Sequence, residues 1–321
     1  MRVLSALDSS HPGSGRARPM PPIPAAFQGR VRFDEPMAAH TSWHAGGAAQ
    51  VYFSPHDVDE LAAFLRALPP PVPIYWVGLG TNLLVRDGGI AGVVVATAGA
   101  FTRIERRAQT RVYCEASVPC ARIARCCANW GLAEAEFFNG IPGSFGGALA
   151  MNAGAFGDET WRHVRSVQTI DRAGQRRERP ASDYRVGYRS VEPVQGGGEE
   201  WFLSAELQFE MGAERSERLR ELLQRRRDSQ PLGLWSCGSV FKNPPGDHAA
   251  RLIETAGLKG RRIGDAVVSE KHANFIINCG AASAADLEAL LRLVQSTVER
   301  VHGVHLEPEV RIVGESQEPP R

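Results

Sequence analysis

The stretch Gly140-Ile-Pro-Gly-Ser-Phe-Gly-Gly-Ala-Leu-Ala-Met-Asn-Ala-Gly-Ala-Phe-Gly157 decides how the rest of the chain is read. Gly140, Gly143, Gly146, Gly147, Gly154 and Gly157 punctuate it, and the residues between are small or apolar. Glycine carries the largest backbone-ordering cost, so the run predicts a poor helix and a poor long strand. It suits backbone that passes close to something bulky, with amide N–H groups aimed at phosphate or ring carbonyl oxygens. A set of tight turns between short strands competes with that reading on equal terms.

Bulk properties narrow the classes. A chain of 321 residues holds two or three packed units. Its 43% hydrophobic and 23% charged content is that of a soluble globular protein. A net charge of +1 gives no electrostatic case for nucleic acid or an anionic membrane. The longest apolar run, Gly89–Ala100, is too short to span a bilayer. Six cysteines, including the adjacent Cys126 and Cys127, lack paired Cys-x-x-Cys spacing, and no signal peptide precedes them. Reduced thiols in a cytoplasmic protein without a metal centre are expected.

Outward from the glycine run, residues 1–27 are rich in proline, arginine and glycine and predict a disordered tail. The first folded unit should span 28–100. Its helix is expected to begin with Ser54 as N-cap, Pro55 at N1 and Asp57 at N3, and to stop at Pro69. Strands are expected at Pro73–Val77 and Val93–Val95. Between them, Gly78-Leu-Gly-Thr-Asn82 starts like a dinucleotide fingerprint but has Leu83 where the third glycine belongs. A second unit, 101–211, should carry a helix opened by Pro119 and ended at Gly131, then several short strands. A third, 212–305, should carry a charged helix over Glu214–Arg227 and an amphipathic one capped by Ser283 and closed by Gly303. Leu306–Val313 reads as a last strand and 316–321 as a tail. Helices and strands alternate without a long regular βαβ rhythm, so the fold class is α+β.

Candidate chemistry gathers in a few places. In Ser236-Cys-Gly-Ser-Val-Phe-Lys-Asn243 a small hydroxyl, Ser239, sits near a cation, Lys242, and an amide, Asn243, which suits an anionic substrate; a plain loop with solvated Lys242 suits the pattern as well. Cys237 has no local histidine to activate it. Glu307 and Glu309 flank Pro308 and alternate onto one face, either toward solvent or into a cleft. Arg185 and Arg189 share a face, and an arginine fork can bind a carboxylate. His40, His44, His302 and His305 have no helical ligand spacing.

Taken together the pieces resemble the bacterial flavoprotein family of UDP-N-acetylenolpyruvoylglucosamine reductases over about residues 28–315. The resemblance rests on His40-Thr-Ser-Trp-His-Ala-Gly-Gly, Val77-Gly-Leu-Gly-Thr-Asn-Leu-Leu-Val, Gly140-Ile-Pro-Gly-Ser-Phe-Gly-Gly-Ala with Met151-Asn-Ala-Gly-Ala-Phe-Gly, Gly187-Tyr-Arg, Cys237-Gly-Ser-Val-Phe-Lys-Asn-Pro, Gly257-Leu-Lys-Gly, Ser269-Glu-Lys-His-Ala-Asn-Phe-Ile-Ile-Asn and Leu306-Glu-Pro-Glu-Val, in that order. It implies an FAD-binding domain of the vanillyl-alcohol-oxidase (PCMH) type in two parts, plus a C-terminal α+β substrate domain. Residues 306–315 would return to the first part. The short link Val191–Glu200 resembles the shorter (type II) branch, which lacks an extra substrate-covering segment.

The resemblance further implies that NADPH reduces FAD and that the enolpyruvyl UDP-sugar is then reduced to UDP-N-acetylmuramate. Arg189, Ser239 and Glu309 match the catalytic positions: Ser239 as proton donor, Arg189 on the substrate carboxylate, Glu309 beside it. Gly78, Gly80, Thr81, Asn82, Gly140, Ile141, Pro142, Gly143, Ser144, Gly146, Gly147, Asn152, Ala153 and Gly154 would hold the flavin, and Lys242 and Asn243 the nucleotide sugar. The family's Tyr-Arg-x-Ser is absent, because Ser190 follows Arg189 directly. Two alternatives remain at this point: another FAD-dependent oxidase or dehydrogenase of the superfamily, and a silent binder of flavin or UDP-sugar. Oligomeric state is open.

Overall fold

The computed structural model describes residues 19–196, 198–212 and 216–317. In the first part, β1 (Val31–Pro36), β2 (Ala48–Phe53), β3 (Ile74–Val77) and β5 (Ile90–Ala96) form a sheet in the order β1-β2-β5-β3. β5 runs parallel to both β2 and β3, and its Val93, Val94 and Val95 are fully buried, as an apolar run inside a parallel pair should be. Helix α1 (Val58–Ala67) turns Leu61, Phe64 and Leu65 onto this sheet, with the Phe64 ring stacked 3.8 Å from that of Phe53. Its N-cap is Asp57, whose side chain accepts from the Glu60 N–H at 2.8 Å. The expected start at Ser54 is therefore three residues early: Asp57, expected at N3, is itself the N-cap, a place that aspartate fills as well as serine does.

The expected tail also ends sooner than Phe27. Residues 1–18 lie outside the described residues, but Ile23 and Phe27 pack on the first core, and the Phe27 ring meets Phe64 edge-on at 5.2 Å. One aromatic side chain offers enough apolar area to dock a short segment that composition alone assigns to solvent.

The second part is a five-stranded antiparallel sheet. It contains β6 (Ile104–Arg106), β7 (Arg111–Glu115), β11 (Val164–Asp171), β12 (Arg176–Pro180) and β15 (Glu200–Gln208), in the order β12-β11-β15-β7-β6. Helix α2 (Cys120–Asn129) covers it, and Gly131 follows at φ +68° as the helix terminator. Short pairs trim the edges: β8 (Leu132–Ala133) with β16 (Glu210–Met211), β9 (Gly154–Ala155) with β10 (Asp158–Glu159), and the hairpin β13 (Tyr184–Gly187) with β14 (Ser190–Pro193). The glycine-rich run contains a seven-residue helix, α3 (Phe145–Met151), against the expectation of a poor helix. Phe145, Ala148 and Leu149 are buried in the core, so tertiary packing outweighs the cost of Gly146 and Gly147. Gly146 is also required there: a Cβ would lie 2.9 Å from that of Ala116.

The third part comprises α4 (Ser216–Ser229), α5 (Ala249–Thr255), β17 (Arg262–Ile263), β18 (Ala266–Val268), β19 (Ile276–Asn278) and α6 (Ala284–His302). Ser283 and Asp286 form a complete capping box at the start of α6, and Gly303 ends it at φ +68°, as expected. The core of this part includes Trp43, Ala45 and Leu84 from the first part. β20 (Arg311–Val313) pairs parallel with β4 (Leu83–Val85). Only these three residues of the expected Leu306–Val313 strand are a strand; upstream, Pro308 bridges to Phe241 in isolation, since proline cannot donate to a ladder. Beside β4, Arg86 Nε and Nη2 donate to the buried Glu288 carboxylate of α6 at 2.9 and 3.0 Å. The Asp87 carboxylate accepts from the Ala284 and Ala285 N–H groups at 3.0 and 2.8 Å. A charged clamp thus ties the third part to the first.

Candidate active site

The hairpin of β13 and β14 closes with a two-residue turn, Gly187 pairing with Ser190, so Tyr188 and Arg189 occupy the tip. Arg189 sits at φ +53°, a left-handed conformation that a branched or bulky residue adopts at a cost. Its guanidinium points inward: Nε donates to Glu309 Oε1 at 3.0 Å, Nη1 to the Asn152 carbonyl at 3.3 Å and Nη2 to the Gly154 carbonyl at 3.1 Å. Arg185, the other arginine of the motif, is exposed and lies 3.7 Å from Glu192. Ser190 opens β14 directly after Arg189 and closes the turn. The hairpin base is anchored by Glu200, which accepts from Arg179 Nη1 and from the Tyr184 hydroxyl, at 2.8 and 2.9 Å.

Glu309 comes from the far end of the chain. Its N–H donates to the Val240 carbonyl at 2.7 Å, and its carbonyl accepts from Asn82 Nδ2 at 3.1 Å. Burial pushes its carboxyl above the ordinary range, while the Arg189 guanidinium and, more weakly, Lys242 pull it back. Glu307 and Glu309 both face Lys242, in keeping with alternation, but they differ in surroundings. Glu307 stays 71% exposed, 3.2 Å from Lys242 Nζ, whereas Glu309 is 13% exposed.

Ser239 lies between Gly238, at φ +82°, and the buried Val240. Because Val240 bonds to Glu309 through the backbone, the Ser239 hydroxyl stands one residue from the register of the Arg189–Glu309 pair. It is half-buried and has no protein hydrogen-bond partner among the described residues. Lys242 is tied to Glu307, and the Asn243 side-chain oxygen accepts from the Ala249 N–H at 3.0 Å, capping α5. The Cys237 thiol is buried and pushed well up by that burial, with Glu309 adding to the effect, so it is not a thiolate nucleophile.

The two glycine loops face one another. Thr81 Oγ1 donates to the Pro142 carbonyl at 3.1 Å. A Cβ on Gly78 would lie 2.4 Å from Ser144 Oγ, and one on Gly143 2.6 Å from Thr81 Oγ1. Gly80 is pressed against the His40 carbonyl, 1.9 Å from where its Cβ would be. Gly140 and Gly154 are likewise filled by the protein's own packing, whereas a Cβ on Gly147 would approach only Ser144 Oγ, at 3.8 Å. Gly238 comes within 3.9 Å of Pro142 by the same measure, which brings the Ser239 loop to the second glycine loop. Neither loop carries a charged side chain between Gly78 and Asn82 or between Gly140 and Gly147. This neutral, N–H-rich donor set fits a flavin, whose ring oxygens and diphosphate are acceptors. Asn152, by contrast, spends both side-chain atoms on the protein: Nδ2 donates to the Gly187 carbonyl at 3.1 Å, and Oδ1 accepts from the Trp161 N–H at 3.0 Å.

The sequence did not reveal that Asn82 holds the Glu309 backbone, that Asn152 holds the arginine hairpin, or that the Tyr188 hydroxyl accepts from the Asn243 N–H at 3.3 Å. Only the position of Asn152, just past a short apolar run, carried a local signal, that of a left-handed helix terminator. His40 is engaged by Glu35 at 2.6 Å and Tyr52 at 3.1 Å, and His44 packs on Trp235. Among the described residues no group of three or more His, Cys, Asp or Glu is arranged to hold a metal ion.

Comparison with known proteins adds to this geometry. The C-terminal domain profile of UDP-N-acetylenolpyruvoylglucosamine reductase matches residues 230–313, and an FAD-binding-domain profile matches residues 49–178. A UDP-N-acetylenolpyruvoylglucosamine reductase of Alkalilimnicola ehrlichii is 55% identical over 291 residues, 90% of this chain and 96% of its own. One of Methylococcus capsulatus is 54% identical over 285 residues, covering 88% and 93%. The crystal structure of the UDP-N-acetylenolpyruvylglucosamine reductase of Thermus caldophilus matches with a TM-score of 0.76 at 30% identity, over 88% of this chain and 98% of that one.

Proposed function

The chain belongs to the UDP-N-acetylenolpyruvoylglucosamine reductases, and we propose that it carries their reaction with Arg189, Ser239 and Glu309. It is an FAD-dependent oxidoreductase that uses NADPH to reduce UDP-N-acetyl-3-O-(1-carboxyvinyl)-glucosamine to UDP-N-acetylmuramate, a step of peptidoglycan precursor synthesis. The observation that carries the residue assignment is the Arg189–Glu309 pair, 3.0 Å apart and one backbone step from the Ser239 hydroxyl, which has no partner among the described residues.

FAD, when bound, would supply the hydride relay from NADPH to the vinyl terminus of the substrate. The loops Gly78–Asn82 and Gly140–Gly147, with Ala153 and Gly154 behind them, would hold it through backbone N–H groups and the Ser144 hydroxyl, while Thr81 braces the two loops against each other through the Pro142 carbonyl. Arg189 binds the substrate carboxylate and stabilises the negative charge that grows there once the vinyl terminus is reduced; such preorganised electrostatic terms are often the largest in catalysis. Ser239 donates its proton to the carbon bearing the ether oxygen. A hydroxyl is a weak acid, but an enolate-like carbon is a strong enough base to take its proton. Glu309 holds the guanidinium in line. Lys242 leaves Glu307 for the diphosphate, and Asn243 offers its remaining amide N–H groups to the nucleotide sugar.

We divide the chain near residues 100, 211 and 305, and the parallel pairing of β20 with β4 supports the return of 306–315 to the first part. Pro193 and Glu200 bound a short link, in keeping with the shorter branch of the family. No helix among the described residues is long and apolar enough to cross a membrane, and we place the enzyme in the cytoplasm with its soluble substrates.

The test is anaerobic and spectroscopic. Purified protein should be yellow, bleach with NADPH and recover its colour with the enolpyruvyl sugar. Ser239→Ala should bleach as the parent does but recover its colour slower by about a hundredfold or more, the usual worth of a positioned proton donor. Bleaching slowed as much as recovery would remove Ser239 from the donor role.

A further inference from the structure

Asn152 is fully buried and left-handed, at φ +47°. It ends α3 inside the glycine-rich run, yet its bonds lead away from that run to the arginine hairpin. Its Nδ2 donates to the Gly187 carbonyl, which is the entry to the Tyr188-Arg189 turn, and its own carbonyl accepts from Arg189 Nη1. Its Oδ1 is fixed in turn by the Trp161 N–H. One residue therefore holds Arg189 at the backbone stem and at the guanidinium head. Asparagine is suited to the place, because it tolerates the left-handed region and carries both an acceptor and a donor.

We propose that Asn152 is a positioning residue for the reaction, setting the Arg189 guanidinium against Glu309 and the substrate carboxylate, and that the glycine-rich run thereby aligns the catalytic pair as well as the flavin. This inference rests on the assignment of Arg189 as the carboxylate-binding residue. It makes Asn152 a residue of the sugar-reducing half-reaction rather than of the NADPH half-reaction. Among the described residues, the titratable and charged groups that face the Glu309 carboxyl are Arg189, Lys242 and the Cys237 thiol. Of these, only Arg189 is held by Asn152.

The experiment uses the holoenzyme and three variants. Asn152→Gly keeps the left-handed backbone and removes both side-chain bonds. Asn152→Asp keeps the acceptor for the Trp161 N–H and removes the donor to Gly187, and it decides the matter if the glycine variant does not fold. Arg189→Lys tests the reading beneath. For both Asn152 variants we expect NADPH bleaching within about twofold of the parent and reoxidation by the enolpyruvyl sugar slowed about ten- to a hundredfold, the scale set by lost transition-state alignment. The pH profile of reoxidation should also move upward, because a displaced guanidinium no longer lowers the Glu309 carboxyl. FAD affinity, read by fluorescence titration, should hold. Reoxidation at the parental rate, recovery on saturating with FAD, or a slower rate on an unshifted pH profile would each overturn the proposal. If Arg189→Lys reoxidises normally, the assignment of Arg189 fails; if Arg189→Lys is slow while both Asn152 variants are normal, only the positioning role fails.

Discussion

The clamp between Arg86 and Glu288 lends itself to a quantitative test. Glu288 is 8% exposed and accepts two charge-assisted bonds from one guanidinium, at 2.9 and 3.0 Å. Bonds to charged groups contribute about 1.5–3 kcal/mol each, and desolvation of the carboxylate takes back a good part of the pair. The coupling expected from an Arg86→Met, Glu288→Gln double-mutant cycle is therefore about 2 kcal/mol, and Glu288→Gln alone should cost about 2–3 kcal/mol because it leaves Arg86 with a neutral partner. Arg292 also reaches this carboxylate but is 65% exposed and adds little. Urea unfolding followed by both far-ultraviolet circular dichroism and tryptophan fluorescence would measure it, since coincident transitions are needed before a single free energy is assigned. Burial alone would raise the Glu288 carboxyl, but its two arginines hold it below the ordinary value of 4.5. The stabilisation is thus complete above that value and fades as the pH falls through the lower folded one, and Glu288→Gln should flatten this acid limb. A coupling below about 0.5 kcal/mol, the worth of an exposed pair, would refute the reasoning.

Further outcomes are expected. Gly78→Ala and Gly143→Ala should yield protein with weakened flavin retention, because each new Cβ would press on a hydroxyl of the opposite loop, at 2.4 and 2.6 Å; unchanged flavin content on gel filtration would argue against the paired-loop site. Gly80→Ala meets a backbone carbonyl rather than a movable side chain, so its thermal midpoint should fall further than that of either. Arg189→Met should raise the pH at which the Glu309 carboxyl titrates, as followed by carbon NMR of labelled glutamate, since burial already pushes that carboxyl up and Arg189 opposes it. Asn243→Ala should lose about 1 kcal/mol of stability through the α5 start, besides raising KM for the sugar.

Much of this enzyme is legible from its chain because the signals are local. The Ser283 capping box, Gly131 and Gly303 as terminators, and the apolar run of Val93–Val95 each act within a few residues, and each is where pattern puts it. Arg189, Ser239 and Glu309 were legible as motifs, and the fold brings Arg189 and Glu309 within bonding distance. What was not legible depends on partners distant in sequence. Helix α3 exists because Phe145 and Leu149 have a core to enter, which outweighs its glycines. The pair Glu307 and Glu309 looks symmetrical in sequence, and only the arrival of Arg189 from 120 residues away separates an exposed carboxylate from a buried one.

The pairing of β20 with β4 bears on how the protein is made. Leu83–Val85 finds its sheet partner only when Arg311–Val313 has been synthesised, about 230 residues later, which at roughly 5–20 residues per second is a wait of about 10–45 s. Through that interval Asn82 lacks the Glu309 carbonyl it will hold, and Leu84 lacks much of the core it will enter. The second part, whose strands are contiguous in sequence, is free to fold on the ribosome; the flavin loop of the first part is finished last. Cofactor insertion thus waits on the synthesis of β20, and FAD supply from that point on should govern how much polypeptide reaches the active form.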